Sequence, residues 1–259
     1  MVSSCRVGEP PAADPARRLT PDSFLDLAAD QGWDAAELTS YFFAPTATAD
    51  DMRSLRRRAF LRGLAISGSA VNNRFTLPAG PQLDAEIAGV KAWIEKTAAL
   101  GAPHLRVFAG DLPGGCTLAD ARRSCVAALE ACADHAGRAG VMLGLENHGG
   151  IVATADGLLE VIRAVKSPWL GVNLDTGNFQ VADPYAELAR CIPYAVNVQY
   201  KTEMSRTPGG PKEPADAARV VRLLRDGGYQ GFLTLEFEAA EDAFAAVPRQ
   251  LDKLRALVG

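Results

Sequence analysis

Val141-Met142-Leu143-Gly144-Leu145-Glu146-Asn147-His148-Gly149-Gly150 is an apolar run that stops abruptly in a carboxylate, an amide, an imidazole and two glycines. An apolar run with no polar alternation predicts a strand buried on both faces, as in a parallel sheet. Side chains two apart on a strand point the same way, so Glu146 and His148 should project from one side, where the turning chain needs glycine's backbone freedom. A polar site mounted on an apolar scaffold is the expected result.

The same unit repeats outward in both directions. Toward the N-terminus, residues 103–109, 64–71, 36–40 and 3–7 read as strands. Between them, helices are predicted from the Thr20-Pro21 cap to Gly32, over 50–62 and over 82–100, and a Pro-rich loop over 9–15. A helix over 117–140 feeds the central strand. Toward the C-terminus come a helix over 153–165, a strand over 169–174 running into Asp175-Thr176-Gly177-Asn178, a helix over 185–191 and a strand over 195–201. A turn-rich loop over 207–214 follows, with Pro214 placed at a helix start, then a strand over 231–238 and a last helix over 242–258. Eight strands alternating with helices in 259 residues predict a single α/β domain over 1–259, a (β/α)8 TIM barrel. The alternative is an open doubly wound sheet, but no strand runs into a G-x-G-x-x-G or Walker loop.

A net charge of −4 gives no field for nucleic acid or an anionic membrane, so a small molecule is the expected partner. The basic residues Arg53, Arg56, Arg57 and Arg58 read as a solvated helix face. Five scattered cysteines without a C-x-x-C pair suggest neither a disulfide framework nor a zinc knuckle. No signal-peptide pattern or membrane-length apolar run stands out, so a soluble cytoplasmic protein is expected.

Barrel active sites lie at the C-terminal strand ends, and the polar residues there form a pattern of i, i+2 pairs. Glu37, Arg106, Glu146 with His148, Asn173 with Asp175, Asn197 with Gln199 and Lys201, and Glu236 with Glu238 all fall at such ends. Three carboxylates about 5 Å apart would repel by roughly 3 kcal/mol per pair at an effective dielectric near 20. Ion pairing of Glu146, Asp175 and Glu236 with Arg106 and Lys201 is one remedy. A divalent cation is more direct, with Gln199 offering an amide oxygen as fourth ligand. Four oxygen donors favour Mg²⁺ or Mn²⁺ over zinc. His104 and His135 are expected to be structural, Trp93 and Trp169 core, and the Tyr41-Phe42-Phe43 loop a pocket wall or simple packing.

This constellation resembles the xylose-isomerase-like barrel superfamily, the sugar phosphate isomerase/epimerase group. The resemblance spans nearly the whole chain, through LTPDSFLDLAADQGWDAAELTSYFF, LENHGG, VNLDTGNF, VNVQYK and LTLEFE. It implies metal ligands at Glu146, Asp175, Gln199 and Glu236, with Glu146 and Glu236 also an acid/base pair. Gln199 stands where many members have histidine, and Asn178 where the epimerases have a substrate-contacting histidine. The implied reaction is proton abstraction beside a carbonyl of a keto-sugar, the metal holding the enediolate, with Lys201 or His148 positioning a hydroxyl or donating a proton. Glu37, Arg106, Asn178 and Glu238 are assigned to substrate contact. The same site would serve a lyase or dehydratase, or a non-catalytic sugar-binding subunit; a homo-oligomer is a further family expectation. An apurinic-site endonuclease, also built on this barrel, would need more histidines and a basic face.

Overall fold

The computed structural model describes residues 2–7 as a strand, together with residues 19–259. The expected loop over 9–15 lies outside the described residues. Eight parallel strands close into a barrel: β1 (Val2–Val7), β2 (Ala35–Thr39), β3 (Ala65–Ala70), β4 (His104–Val107), β5 (Met142–Glu146), β6 (Leu170–Asp175), β7 (Ala195–Lys201) and β10 (Phe232–Phe237), with β1 pairing both β2 and β10. The TIM barrel expected from the alternating pattern is therefore the fold. The helices are α1 (Pro21–Asp30), α2 (Ala49–Leu61), α3 (Pro81–Leu100), α4 (Leu118–Ala139), α5 (Ala155–Ala164), α6 (Pro184–Cys191), α7 (Ala217–Asp226) and α8 (Ala243–Val258). Hydroxyl and carboxylate caps fix several starts: Thr117 accepts from Asp120 N, Thr154 from Gly157 N and Asp216 from Arg219 N.

Three expectations are corrected. The turn-rich loop after β7 holds a small antiparallel hairpin, β8 (Glu203–Ser205) with β9 (Lys212–Pro214), whose glycines and prolines masked the pairing. Pro214 ends β9 rather than starting a helix, because Asp216 is the cap that begins α7. Trp169 is 37% exposed: its indole lies over Gly137 of α4, where any Cβ would collide with the ring, leaving the outer face in water. Trp93 is buried as expected and donates to Ser69 Oγ at 3.0 Å. The basic face of α2 is exposed; Arg58 pairs with Asp26 across to α1 and Arg53 with Asp50. No helix among the described residues is long and apolar enough to cross a membrane.

Apolar side chains pack between strands and helices, while the barrel interior is unusually polar. Ser67, His104, Asn173, Asn197, Gln199 and Thr234 are all buried. Gly68 on β3 makes this arrangement possible, since a Cβ there would overlap the His104 imidazole. That ring is tethered, with Nδ1 donating to the Ser67 carbonyl at 3.0 Å, and so has nowhere to retreat. Gly68→Ala should therefore lower unfolding stability by about 1–3 kcal/mol, read as a reduced urea midpoint at unchanged m-value.

Candidate active site

Five neighbouring strands deliver the charged residues of the mouth. In barrel order, β10 carries Glu236, β7 Lys201, β6 Asp175, β5 Glu146 and β4 Arg106. Glu146, Asp175, Glu236 and Arg106 are buried, while Lys201 is partly covered. Glu146 Oε2 lies 2.9 Å from Arg106 Nε, and its Oε1 accepts from Asn178 Nδ2 at 2.9 Å. Asp175 Oδ2 lies 3.3 Å from Lys201 Nζ, whose other near oxygens are Glu238 Oε2 at 3.0 Å and Asn178 Oδ1 at 3.2 Å. The ion pairing considered as one remedy for the acidic cluster is thus present in part.

Local backbone chemistry fixes these positions. Asn147, next to Glu146 but of opposite parity, clamps the end of β6: its Nδ2 donates to Asp175 O at 2.9 Å, and its Oδ1 accepts from Asp175 N at 2.8 Å. Gly177 N donates to Asp175 Oδ1, and Lys201 N to Thr176 Oγ1. Gly149 and Gly150, at φ +63° and +53°, supply the turn after β5 that the sequence anticipated.

One layer lower, the amides of β6 and β7 close a ring with Glu37. Gln199 Nε2 donates to Glu37 Oε1 (2.6 Å), Asn197 Nδ2 to Glu37 Oε2 (3.2 Å) and to Asn173 Oδ1 (2.8 Å), and Asn173 Nδ2 to Gln199 Oε1 (2.6 Å). Glu37, expected as a substrate contact, is buried and accepts from the amides of Gln199 and Asn197. Gln199, expected as a fourth ligand, engages both its polar atoms in this ring, its Oε1 accepting a single hydrogen bond from Asn173. His104 Nε2 lies 4.0 Å from Glu37 Oε2, and burial pulls the His104 pKa down to about 4, so the ring is neutral near pH 7.

Arg106, expected as a substrate contact, is buried and held from several sides. Besides meeting Glu146, it donates to the Val71 carbonyl at 3.0 Å and to the Tyr41 hydroxyl, and its guanidinium lies 3.9 Å from the centroid of Phe108. Phe108, overlooked in the sequence, stacks against His148 with ring centroids 4.6 Å apart. His148 reaches the exposed rim, and burial together with Lys201 and Arg106 holds its pKa below the usual value. His135 pairs with Glu95 on the surface at 2.7 Å. Asn178 links Glu146 to Lys201, and Glu238 stands at the rim with its side chain 44% exposed.

The electrostatics are dominated by Asp175. Burial pushes its carboxyl up to about 7; Lys201 opposes this, while Glu236 and Glu146 add to it. Lys201 is raised, because Asp175, Glu236, Glu238 and Glu146 outweigh its own burial, which acts the other way. Among the described residues, no three acidic, histidine or cysteine side chains form a ready ligand cluster.

A family model described as xylose isomerase-like TIM barrel matches residues 25–257. No curated protein matches the sequence. Among solved structures, a D-psicose 3-epimerase from Clostridium cellulolyticum H10 superposes with TM-score 0.78 at 14% identity, covering 100% of this chain and 99% of that one. A 3-keto-D-glucoside 4-epimerase from E. coli gives 0.76 at 15% identity, covering 97% and 99%. An L-ribulose 3-epimerase gives 0.71 at 22% identity, covering 92% and 88%. At these identities the likeness establishes the fold alone.

The raised Asp175 has a measurable consequence. Unfolded, its carboxyl ionises near 3.8; folded, it does so near 7. Between those values the folded state holds the extra proton, so this residue's contribution to stability falls as pH rises, and the deficit is complete above about 7. In chelator-containing buffer, Asp175→Asn should be more resistant to urea than the parent at pH 8, the advantage shrinking as pH is lowered toward 4.

Proposed function

The chain belongs to the xylose isomerase-like TIM barrel family, and on that premise we propose that it is a divalent-metal-dependent isomerase or epimerase of a keto-sugar or related polyol. The observation that carries this reading is the mutual field of three buried carboxylates on separate strands, felt at Asp175 from Glu236 and Glu146. Glu146, Asp175 and Glu236 converge on this arc from three strands, with Arg106 beside Glu146 and Lys201 beside Asp175. Asp175 Oδ2 is buried and, among the described residues, meets Lys201 Nζ at 3.3 Å without a further hydrogen bond, and the carboxylate oxygens suit Mg²⁺ or Mn²⁺. Glu146, Asp175 and Glu236 would hold the ion, which when bound would polarise the substrate carbonyl and offset the charge of an enediolate.

The protein's own groups then divide the work. Glu236 and Glu146 bracket the arc from its two acidic ends, with β7 and β6 between them, so a sugar carbon lying across the mouth meets a carboxylate on either side. One takes the proton next to the carbonyl and the other returns it. Arg106, locked by Val71, Tyr41 and Phe108, orients Glu146. Lys201 donates to a substrate oxygen, and His148, tilted at 47° against Phe108, borders the rim. The Asn178 bridge, which sets the Lys201 ammonium near Glu146, favours one second outcome: departure of a hydroxyl or glycosyl group, making the same site a lyase.

The test is incubation of the Mn²⁺- or Mg²⁺-loaded protein in D₂O with D-fructose, D-psicose, D-tagatose, L-ribulose and a 3-keto-glucoside. Deuterium in an isomeric ketose is expected, while an unsaturated or cleaved product would assign the lyase. Glu236→Gln should lower the rate by about 10²–10⁴-fold and weaken Mn²⁺ binding measured by calorimetry. Neither exchange nor cleavage with any of these substrates would remove the proposal.

A further inference from the structure

The Lys201 ammonium has three N–H groups and three oxygens around it, and those oxygens are not held equally. Asp175 has a fully buried side chain, with its backbone clamped by Asn147 and its Oδ1 accepting from Gly177 N. Asn178 is fixed by its own gift of Nδ2 to Glu146. Glu238 sits one residue beyond β10 with its side chain 44% exposed, and among the described residues its recorded ion-pair partner is Lys201 at 3.0 Å.

The lysine itself has little room to move. A Cβ on Gly177 would lie 2.9 Å from Lys201 Cβ, 3.0 Å from its Cδ and 2.8 Å from the Glu203 carbonyl, so the stem lies directly on bare backbone. Thr176 Oγ1 accepts from its main-chain N–H. When the ion pair opens, Glu238 is the side that leaves.

We propose that Glu238 is a placeholder for substrate: a hydroxyl or carbonyl oxygen of the sugar displaces its carboxylate from Lys201, which keeps its contacts with Asp175 and Asn178. The proposal rests on the reading of the mouth as a sugar site, and it assigns Glu238 a competing role instead of the substrate contact expected from sequence. The pair is open to water mainly on the Glu238 side, with 44% of that side chain exposed against 12% of Lys201, so the released carboxylate regains hydration and the penalty appears in binding rather than in the chemical step.

Glu238→Gln and Glu238→Ala, loaded with Mn²⁺, should bind a free ketose two- to five-fold more tightly than the parent. Calorimetry with D-fructose, D-psicose, D-tagatose and L-ribulose reads the affinity, and KM should fall by the same factor with kcat changed less. By nitrogen-edited NMR of the lysine ammonium groups in the proteins loaded with diamagnetic Mg²⁺ instead, the Lys201 signal in the parent should shift on adding the bound ketose. In both variants it should already be displaced before addition. Affinity that is unchanged or weaker in the variants overturns the proposal, making Glu238 a bystander or a true sugar contact. So does failure of every ketose to bind any of the three proteins. Binding tightened by the variants but without deuterium exchange keeps the placeholder and removes the isomerase reading instead.

Discussion

Crowding of like charge in a dry place is the constraint on which this barrel turns. Carboxylates rarely share a buried arc, because each forfeits hydration and then meets the field of its neighbours. Here the compensation is layered. Arg106 answers Glu146, Lys201 answers Asp175, and neither cation is spare, since both already serve more than one partner. Even so, Glu236 and Glu146 still push the Asp175 carboxyl upward.

The supporting shell explains why the groups stay in place. Asn147 turns the junction after β5 into a clamp on β6, and Thr176 ties β6 to β7, so three successive strand ends behave as one unit. Arg106 is packed rather than mobile, with Phe108 beside its guanidinium and Tyr41 and the Val71 carbonyl taking its outer nitrogens. A guanidinium immobilised in this way holds the Glu146 carboxylate beside it in place.

The architecture was legible in the sequence because buried parallel strands betray themselves by unbroken apolar runs, and β7 over Ala195–Lys201 coincides with its expected span. The strand-end acids were legible too, since polar residues at i, i+2 stand out where apolar ones are expected. Depth was not legible. Glu37 and Gln199 have the same alternation as Glu146 and Lys201, and only the side-chain hydrogen bonds that Gln199 and Asn197 donate to Glu37 tie them into an internal ring. Partner choice was hidden for a similar reason: Phe108, Tyr41 and Asn147 become supports only when β2 to β6 stand in order around the barrel. The β8–β9 hairpin escaped because strands of three residues, bounded by glycine and proline, carry no periodicity to detect.

The ring of Glu37, Asn173, Asn197 and Gln199 has an effect beyond holding its members. Every link except the carboxylate is an amide, and amides exchange hydrogen bonds without changing protonation state. Glu37 accepts at both oxygens, which fixes the direction of the Gln199 link, and His104 beside it remains uncharged near pH 7. The barrel floor therefore acts as a proton insulator, closing the wire that a column of imidazoles or water would open through the axis. On the proposed function, such a floor would favour proton exchange by way of the mouth rather than along the barrel axis.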